Sequence, residues 1–447
     1  MLQFIYDHAP IAFQNIMVSV QGKLFEKQRY TSYYYDELEK LRDCQDSLTL
    51  QEERMKSFYK LIKKNSGYYN LKLKSFSDEI DLNNLKQYPL LTKEELRKHV
   101  KEIVIGDPKK LIKLGTGGTT GKSLRFYTSS YDMSKKIAYL DYFKERHGVF
   151  RGMRRVSVGG RKIIPKNQKK KVFWRYNEPL NQLLLSAYHL KEENLQYYIQ
   201  KLNNFKPETL DGYTTALHRI AKYILDNEIK LDFKPIAIFP TAEALTDEMK
   251  RDIEKAFACP VRNQYASSEG APFITENSNG DLELDLATGY FELEKVEGKI
   301  YELIVTGFYT TTTPLFRYKI GDSVELYEEL PENYTQKDIK IRRIIGRNND
   351  FFRTNDGNII THVNLSSITR TVGGQDIIEA QYIQNTLNEI NAYLVVNKEV
   401  NKTNIKNKLK KELIDRFGKA TSITVGFIDE IPKTNGGKKR FMINNLK

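Results

Sequence analysis

Leu114-Gly115-Thr116-Gly117-Gly118-Thr119-Thr120-Gly121-Lys122-Ser123 is the stretch on which the reading of this chain turns. Glycines let backbone come close to an anion, bare N–H groups and threonine hydroxyls donate to it, and the lysine adds charge. Taken alone, the run fits either a flexible turn or a phosphate loop. Counting separates the kinds of loop. A Walker A loop needs Gly, four residues, then Gly-Lys-Ser/Thr. Counting back from Gly121, that first glycine falls on Thr116, and Gly115 stands one position too early. The dinucleotide pattern G-x-G-x-x-G also fails, because from Gly115 its last position is Thr120.

Thr116 to Lys122 does fit T-[SG]-G-T-T-G-K, and so resembles the phosphate loop of adenylate-forming enzymes: acyl-CoA synthetases, peptide-synthetase adenylation domains and luciferases. Five further segments match that superfamily in order. Pro240-Thr241-Ala242-Glu243-Ala244-Leu245 resembles its G-E-x-L element beside adenine. Tyr265-Ala266-Ser267-Ser268-Glu269-Gly270 resembles Y-G-x-[TS]-E, and Pro314 to Asp322 resembles P-L-x-R-Y-[RK]-x-G-D. Gly346-Arg347-Asn348-Asn349-Asp350 resembles the G-R-x-D-D hinge, and Thr434 to Arg440 the terminal T-x-x-G-K-x-R. Singly, Glu243 and Glu269 also read as surface carboxylates, Asp322 as a turn residue and Arg347 as a salt-bridge partner. The ordered set of six carries the resemblance. Tyr-x-Ser-Ser-Glu-Gly, the segment 205–213 and Ala9 to Asn15 narrow it to the phenylacetate–CoA ligase family and its CapK-like, capsule-polysaccharide branch.

The resemblance implies an ATP-dependent ligase that turns a small carboxylic acid into an acyl-adenylate. The acyl group then passes to an acceptor: CoA, a carrier thiol or an amine. Thr116, Gly117, Gly118, Thr119, Thr120, Gly121 and Lys122 would hold phosphates. Ala242, Glu243, Tyr265, Ala266, Ser267 and Ser268 would border the nucleotide, and Asp322 and Arg347 its ribose. Glu269 would carry Mg²⁺, Lys438 would be the catalytic lysine, and Asn349 the hinge. Adenylating amide or ester synthesis without CoA, and a non-catalytic scaffold in glycan assembly, are the rival readings. Three positions depart from the usual pattern: Gly117 replaces a serine, Ser123 a proline and Asn349 the first hinge aspartate. Zinc-binding relatives carry Cys or His after the glutamate motif. Here Glu276-Asn277-Ser278-Asn279-Gly280 has neither, so no zinc is expected.

Around these motifs, short β-type runs (Ile236 to Phe239, Tyr301 to Thr306, Val324 to Tyr327) alternate with helical patterns, predicting an α/β fold with mixed, largely parallel sheets. Helix is expected from about Tyr35 to Lys64. Another starts at a Thr92/Glu95 capping box, and two segments over Ala187 to Asn227 break at Phe205-Lys206-Pro207. A boundary near Arg343 to Asp350 divides the chain into a large N-terminal domain, 1–346, and a small α+β domain, 347–447. The acyl pocket is expected from the Val156 to Tyr188 region with Phe239, Pro272 and Phe273.

The 447 residues suffice for two domains, and no run of about 18 apolar residues predicts a membrane span. Met1 to Val20 lacks a basic leader and contains Asp7 and His8, so no signal peptide is expected. With only Cys44 and Cys259, and no metal-ligand spacing, a reduced cytoplasmic protein is the simplest expectation. The formal charge of +14 reflects dispersed lysines. The runs Lys166 to Lys171 and Lys406 to Lys411 lack the interleaved aromatics of single-strand binders, so nucleic acid is not an expected partner.

Overall fold

The computed structural model describes all residues except 1, 116–124, 166, 167, 169, 348–350, 356–358, 374, 375, 398, 435–438 and 447. The chain divides into two compact units. The larger holds residues 1–299, 303–320 and 326–342, and the smaller 300–302, 321–325 and 343–447.

Helices open the larger unit: Leu2–His8, Ile11–Arg29, Ser32–Asp43 and Ser47–Asn65. The single helix expected over Tyr35 to Lys64 is two. Asp46 restarts the chain as an N-cap, its carboxylate accepting from Leu48 N at 3.0 Å and Thr49 N at 3.3 Å. The capping box at Thr92 and Glu95 forms in both directions and starts Lys93–Ile103.

A five-stranded sheet follows, in the order Trp174–Asn177, Gln182–Ser186, Arg155–Gly159, Thr209–Tyr213 and Ala237–Thr241. All neighbours are parallel except at the first, edge strand. The expected break at Phe205 to Pro207 is real, with Lys206 ending Glu192–Phe205 in the left-handed conformation. However, Thr209–Tyr213 is a central strand rather than a helix start. Its Asp and Gly disfavour a strand locally, and pairing on both sides overrides that preference. Helices Glu192–Phe205 and Thr214–Asp226 cover one face around Leu195, Leu202, Leu217 and Ile220, each fully buried.

A second, seven-stranded sheet runs from Gly289–Glu297 through Ile300–Gly307, Leu315–Leu326, Ile341–Arg347, Leu282–Leu284 and Ile274–Glu276 to Gln264–Tyr265. The β run expected from Val324 is the end of the twelve-residue strand Leu315–Leu326. The smaller unit has its own four-stranded sheet. Ser422–Phe427 and Met442–Asn444 run parallel to their neighbours, and the central pair Glu389–Val396 and Ile377–Thr386 is antiparallel. Helix Lys402–Phe417 packs on this unit's core with Ile405, Leu409, Leu413 and Phe417, so its lysines lie on the opposite face. Among the described residues no helix is long and apolar enough to cross a membrane.

Candidate active site

The strands Arg155–Gly159, Gln182–Ser186, Thr209–Tyr213 and Ala237–Thr241 end on one edge of the parallel sheet. Ligands of such sheets bind outside the carboxyl ends of the strands. Gly160, Tyr188, Tyr213 and Glu243 gather there. Tyr188 OH donates to Gly160 O at 3.1 Å, and burial raises the Tyr213 pKa, with Glu243 and Tyr188 adding to the effect. A parallel bridge, Ile238 to Val261, aligns the two chain segments that carry the 242 and 265 motifs. The Gln264 side chain donates to Pro240 O at 3.4 Å, which places the two motifs side by side.

Within them, individual residues differ in commitment. Ala242 takes a left-handed φ of +69°, a strained position for a residue with a Cβ. The Glu243 carboxylate accepts from Thr215 N at 2.9 Å and Thr215 Oγ1 at 2.8 Å, so it caps the helix Thr214–Asp226. Tyr265 is buried, whereas Ala266 and Ser268 are exposed. Ser267 Oγ accepts from Gly270 N at 3.1 Å and Ala271 N at 2.9 Å, and this turn holds Glu269 inward.

Glu269 is 6% exposed and pairs with Lys93 Nζ at 3.6 Å. Lys136, from the helix Ser130–Glu145, faces it. Burial lowers the Lys136 pKa, while Asp132 and Glu269 oppose that shift. Gly270 has φ +103°, and a Cβ there would lie 2.5 Å from Thr310 Cγ2. Opposite, a Cβ on Gly307 would lie 2.5 Å from Gly270 O. Only glycine allows this approach.

Four consecutive threonines tie the surroundings together. Thr310 Oγ1 donates to Gly307 O at 2.6 Å. Asp132 accepts from Thr311 N, Thr311 Oγ1 and Thr312 N at 2.7–2.9 Å. Thr313 Oγ1 donates to Tyr127 O at 2.7 Å and accepts from Tyr127 N at 3.1 Å. Tyr127 lies on Arg125–Thr128, which pairs antiparallel with Ile112–Gly115. The Gly/Thr stretch, residues 116–124, connects these two strands and lies outside the described residues.

The remaining expected residues are less closely defined. Asp322 is buried on Leu315–Leu326, and Arg347 ends Ile341–Arg347, its side chain outside the described set. Asn349 and Lys438 are also outside it. On either side of Lys438, Lys433 and Lys439 form an antiparallel bridge, and Lys439 binds Glu379 at 2.6 Å. In the third motif, Arg317 adopts φ +48° and binds Glu292 through Nε and NH2 at 2.8–3.1 Å. Phe239 and Phe273 are fully packed with Tyr139 and Phe143, so in this conformation they are core residues rather than pocket walls.

Sequence reasoning missed Lys93, Lys136, Asp132 and the threonine run. Thr310 to Thr313 was visible as an unusual string of hydroxyls, but nothing in the sequence says which carboxylate it meets. Among the described residues no three His, Cys, Asp or Glu side chains converge to hold a metal. Glu269 offers one carboxylate. That suits Mg²⁺ when phosphate oxygens and water complete the shell.

Comparison with known proteins agrees with the architecture. Residues 352–445 match the CapK C-terminal domain family. Protein CapK of Staphylococcus aureus is 62% identical over 450 residues, covering all of both chains. Among solved structures, 2-hydroxyisobutyryl-CoA ligase in the postadenylation state with 2-HIB-AMP superposes with a TM-score of 0.65 over 88% of each chain, at 16% identity. Anthranilate CoA ligase AuaEII in complex with anthranoyl-AMP gives 0.51 at 13% identity, over 73% of this chain and 64% of the other. At such identities the likeness is one of fold. Matched along its whole length to protein CapK, the chain belongs to the CapK family, on the α/β fold of the adenylate-forming CoA ligases.

Proposed function

We propose that this chain activates a carboxylic acid with ATP, forming an acyl-adenylate and pyrophosphate, and then transfers the acyl group to an acceptor in capsular polysaccharide biosynthesis. The observation that carries the reading is Glu269: a buried carboxylate held by its own serine turn and loosely paired with one lysine, in a fold shared with ligases solved with acyl-AMP.

The chemistry asks for what these residues offer. A carboxylate acylates poorly because its leaving group would be oxide, and AMP supplies a better one. Two anions must approach, and charge grows on the α-phosphate. In-line transfer depends on positioning and charge compensation. Thr116, Gly118, Thr119, Thr120 and Lys122 hold the departing phosphates. Ala242 and Tyr265 flank adenine, Asp322 and Arg347 hold the ribose, and Lys438 compensates the α-phosphate. Glu269 holds Mg²⁺, which when bound neutralises phosphate charge. Residues 1–346 form the ATP- and acyl-binding domain, and 347–447 the domain that supplies Lys438, with Asn349 as its hinge.

The test is pyrophosphate release with Mg²⁺ and ATP across aryl, fatty, sugar and amino acids, with and without CoA. Acid-dependent release is the expected result, and CoA-dependent product formation assigns the acceptor. Lys438→Ala is expected to abolish adenylate formation yet spare transfer from a presynthesised adenylate. Undiminished acid-dependent pyrophosphate release in that variant would overturn the assignment.

A further inference from the structure

Lys136 has no role in the reading above, although it stands beside the residue that reading depends on. It lies one turn after Asp132 on the helix Ser130–Glu145. The two carboxylates nearest in charge are already engaged. Asp132 is taken up by the amides of Thr311 and Thr312 and the Thr311 hydroxyl. Glu269 has Lys93 on it at 3.6 Å. Among the described residues Lys136 makes no ion pair of its own. Its Nζ lies 3.3 Å from the point that a Cβ on Gly270 would occupy, so the ammonium reaches the residue that follows Glu269. The absent side chain at Gly270 leaves that end of the lysine uncovered. Toward the other end of the helix, Tyr139 and Phe143, three and seven residues on, pack against Phe273 and Phe239. The ammonium therefore stands where a charged layer meets an apolar one. A half-buried ammonium with no ion pair of its own is placed to receive an anion.

We propose that Lys136 anchors the anionic end of the acyl substrate, receiving beside Glu269 the carboxylate that is to be adenylated. This rests on the adenylation reading and adds a specificity-determining residue to it. Phosphate is the competing anion. It differs in a measurable way, because a phosphate anchor governs ATP and a carboxylate anchor governs the acid.

The experiment uses ATP–pyrophosphate exchange by the full chain, with whichever panel acid the wild type turns over fastest. Lys136→Met keeps the length without the charge, and Lys136→Arg restores a charge. Lys136→Met is expected to raise KM for the acid about 10- to 100-fold, as for loss of a charged hydrogen bond. KM for ATP and calorimetric MgATP binding should stay within about 2-fold of wild type, a change too small to register one lost contact, and Lys136→Arg should recover part of the acid KM. An unchanged acid KM in folded Lys136→Met, or weakened MgATP binding in its place, overturns the inference and leaves adenylation standing. No exchange by the wild type with any acid overturns both. Should Lys136→Met not fold, Lys136→Arg decides the matter: its acid KM is expected to shift with its ATP KM unchanged, and the reverse pattern overturns the proposal.

Discussion

Glu37 and Glu269 are both buried in the larger unit, at 1% and 6% exposed, yet their surroundings are opposite in kind. Glu37 is saturated. Arg54 sits at 2.7 Å and Tyr309 OH donates at 2.7 Å to one oxygen, and Lys135 lies 3.3 Å from the other. Burial works against its ionisation, but Arg54, Lys135 and Tyr309 outweigh it and hold the carboxyl below its ordinary range. Glu269 has a looser ion pair and a second ammonium facing it, on a turn fastened by Ser267 rather than by its own carboxylate. A carboxylate clasped by two cations and a buried hydroxyl is committed to holding the fold together. One with capacity left can exchange a lysine for a phosphate-bound cation. The contrast marks Glu37 as scaffolding and supports the proposed role of Glu269.

The strongest way to break the comparison is to remove each charge in turn. Glu37→Gln leaves Arg54 and Lys135 without their buried counter-charge and should lower the unfolding free energy by about 3–5 kcal/mol. Adenylation per folded molecule should be retained. The depressed carboxyl contributes stability above its ordinary range, near 4.5, and loses it as pH falls through the lower folded value. Wild type should therefore approach Glu37→Gln in stability under acid, as followed by urea unfolding. Glu269→Gln should do the reverse. Its pyrophosphate release should fall about 100- to 1,000-fold, with a stability change within about 1 kcal/mol for so loose a pair. Equal loss of stability in the two variants would erase the distinction.

Asp285, whose side chain is 9% exposed, sharpens the comparison as a third carboxylate in the larger unit. Burial raises it from the ordinary 3.8 to about 6, against the opposing effects of Arg146 at 3.5 Å and the Thr275 hydroxyl at 2.8 Å. A raised folded pKa means that its stabilising contribution is full below pH 3.8 and is lost as pH rises through about 6. Relative to Asp285→Asn, wild type should lose about 3 kcal/mol between pH 3.5 and pH 7. Urea midpoints at the two pH values would show it, and a pH-independent difference would mean that Asp285 is as well paired as Glu37.

How much of this was legible in the sequence depended on how local the physics is. The Thr92/Glu95 cap and the break at Lys206 both rest on neighbours within a few residues, and they appear where the sequence put them. Thr209–Tyr213 reads poorly as a strand because its stability comes from partners more than 25 residues away on one side and more than 50 on the other. The site divides the same way. Tyr265 to Gly270 announces itself as a motif, but Glu269 meets Lys93, which is 176 residues upstream, through pairing that no spacing rule reports. Arg317 was quoted only as a motif letter. Its left-handed backbone and bidentate grip on Glu292 emerge once the sheet sets their two strands on either side of Ile300–Gly307.

The smallest expected effect probes what keeps Glu269 different from Glu37. Ser267 Oγ accepts two amides, Gly270 N at 3.1 Å and Ala271 N at 2.9 Å, and the glutamate lies between serine and those amides in the chain. The orientation of the carboxylate is thus set by backbone hydrogen bonds, which leaves its own oxygens available. Ser267→Ala removes the acceptor while Gly270 and Gly307 keep their close approach, so the turn loosens without collapsing. About 1 kcal/mol of stability should go, as for a lost local cap. Activity should fall by about 10-fold or less, felt mainly through ATP, because the turn orients the carboxylate proposed to carry Mg²⁺. Ser267→Thr keeps the oxygen and should retain most of both. If Ser267→Ala left activity untouched while Glu269→Gln abolished it, the carboxylate would be oriented by its lysines after all, and Glu269 would resemble Glu37 more closely than its distances suggest.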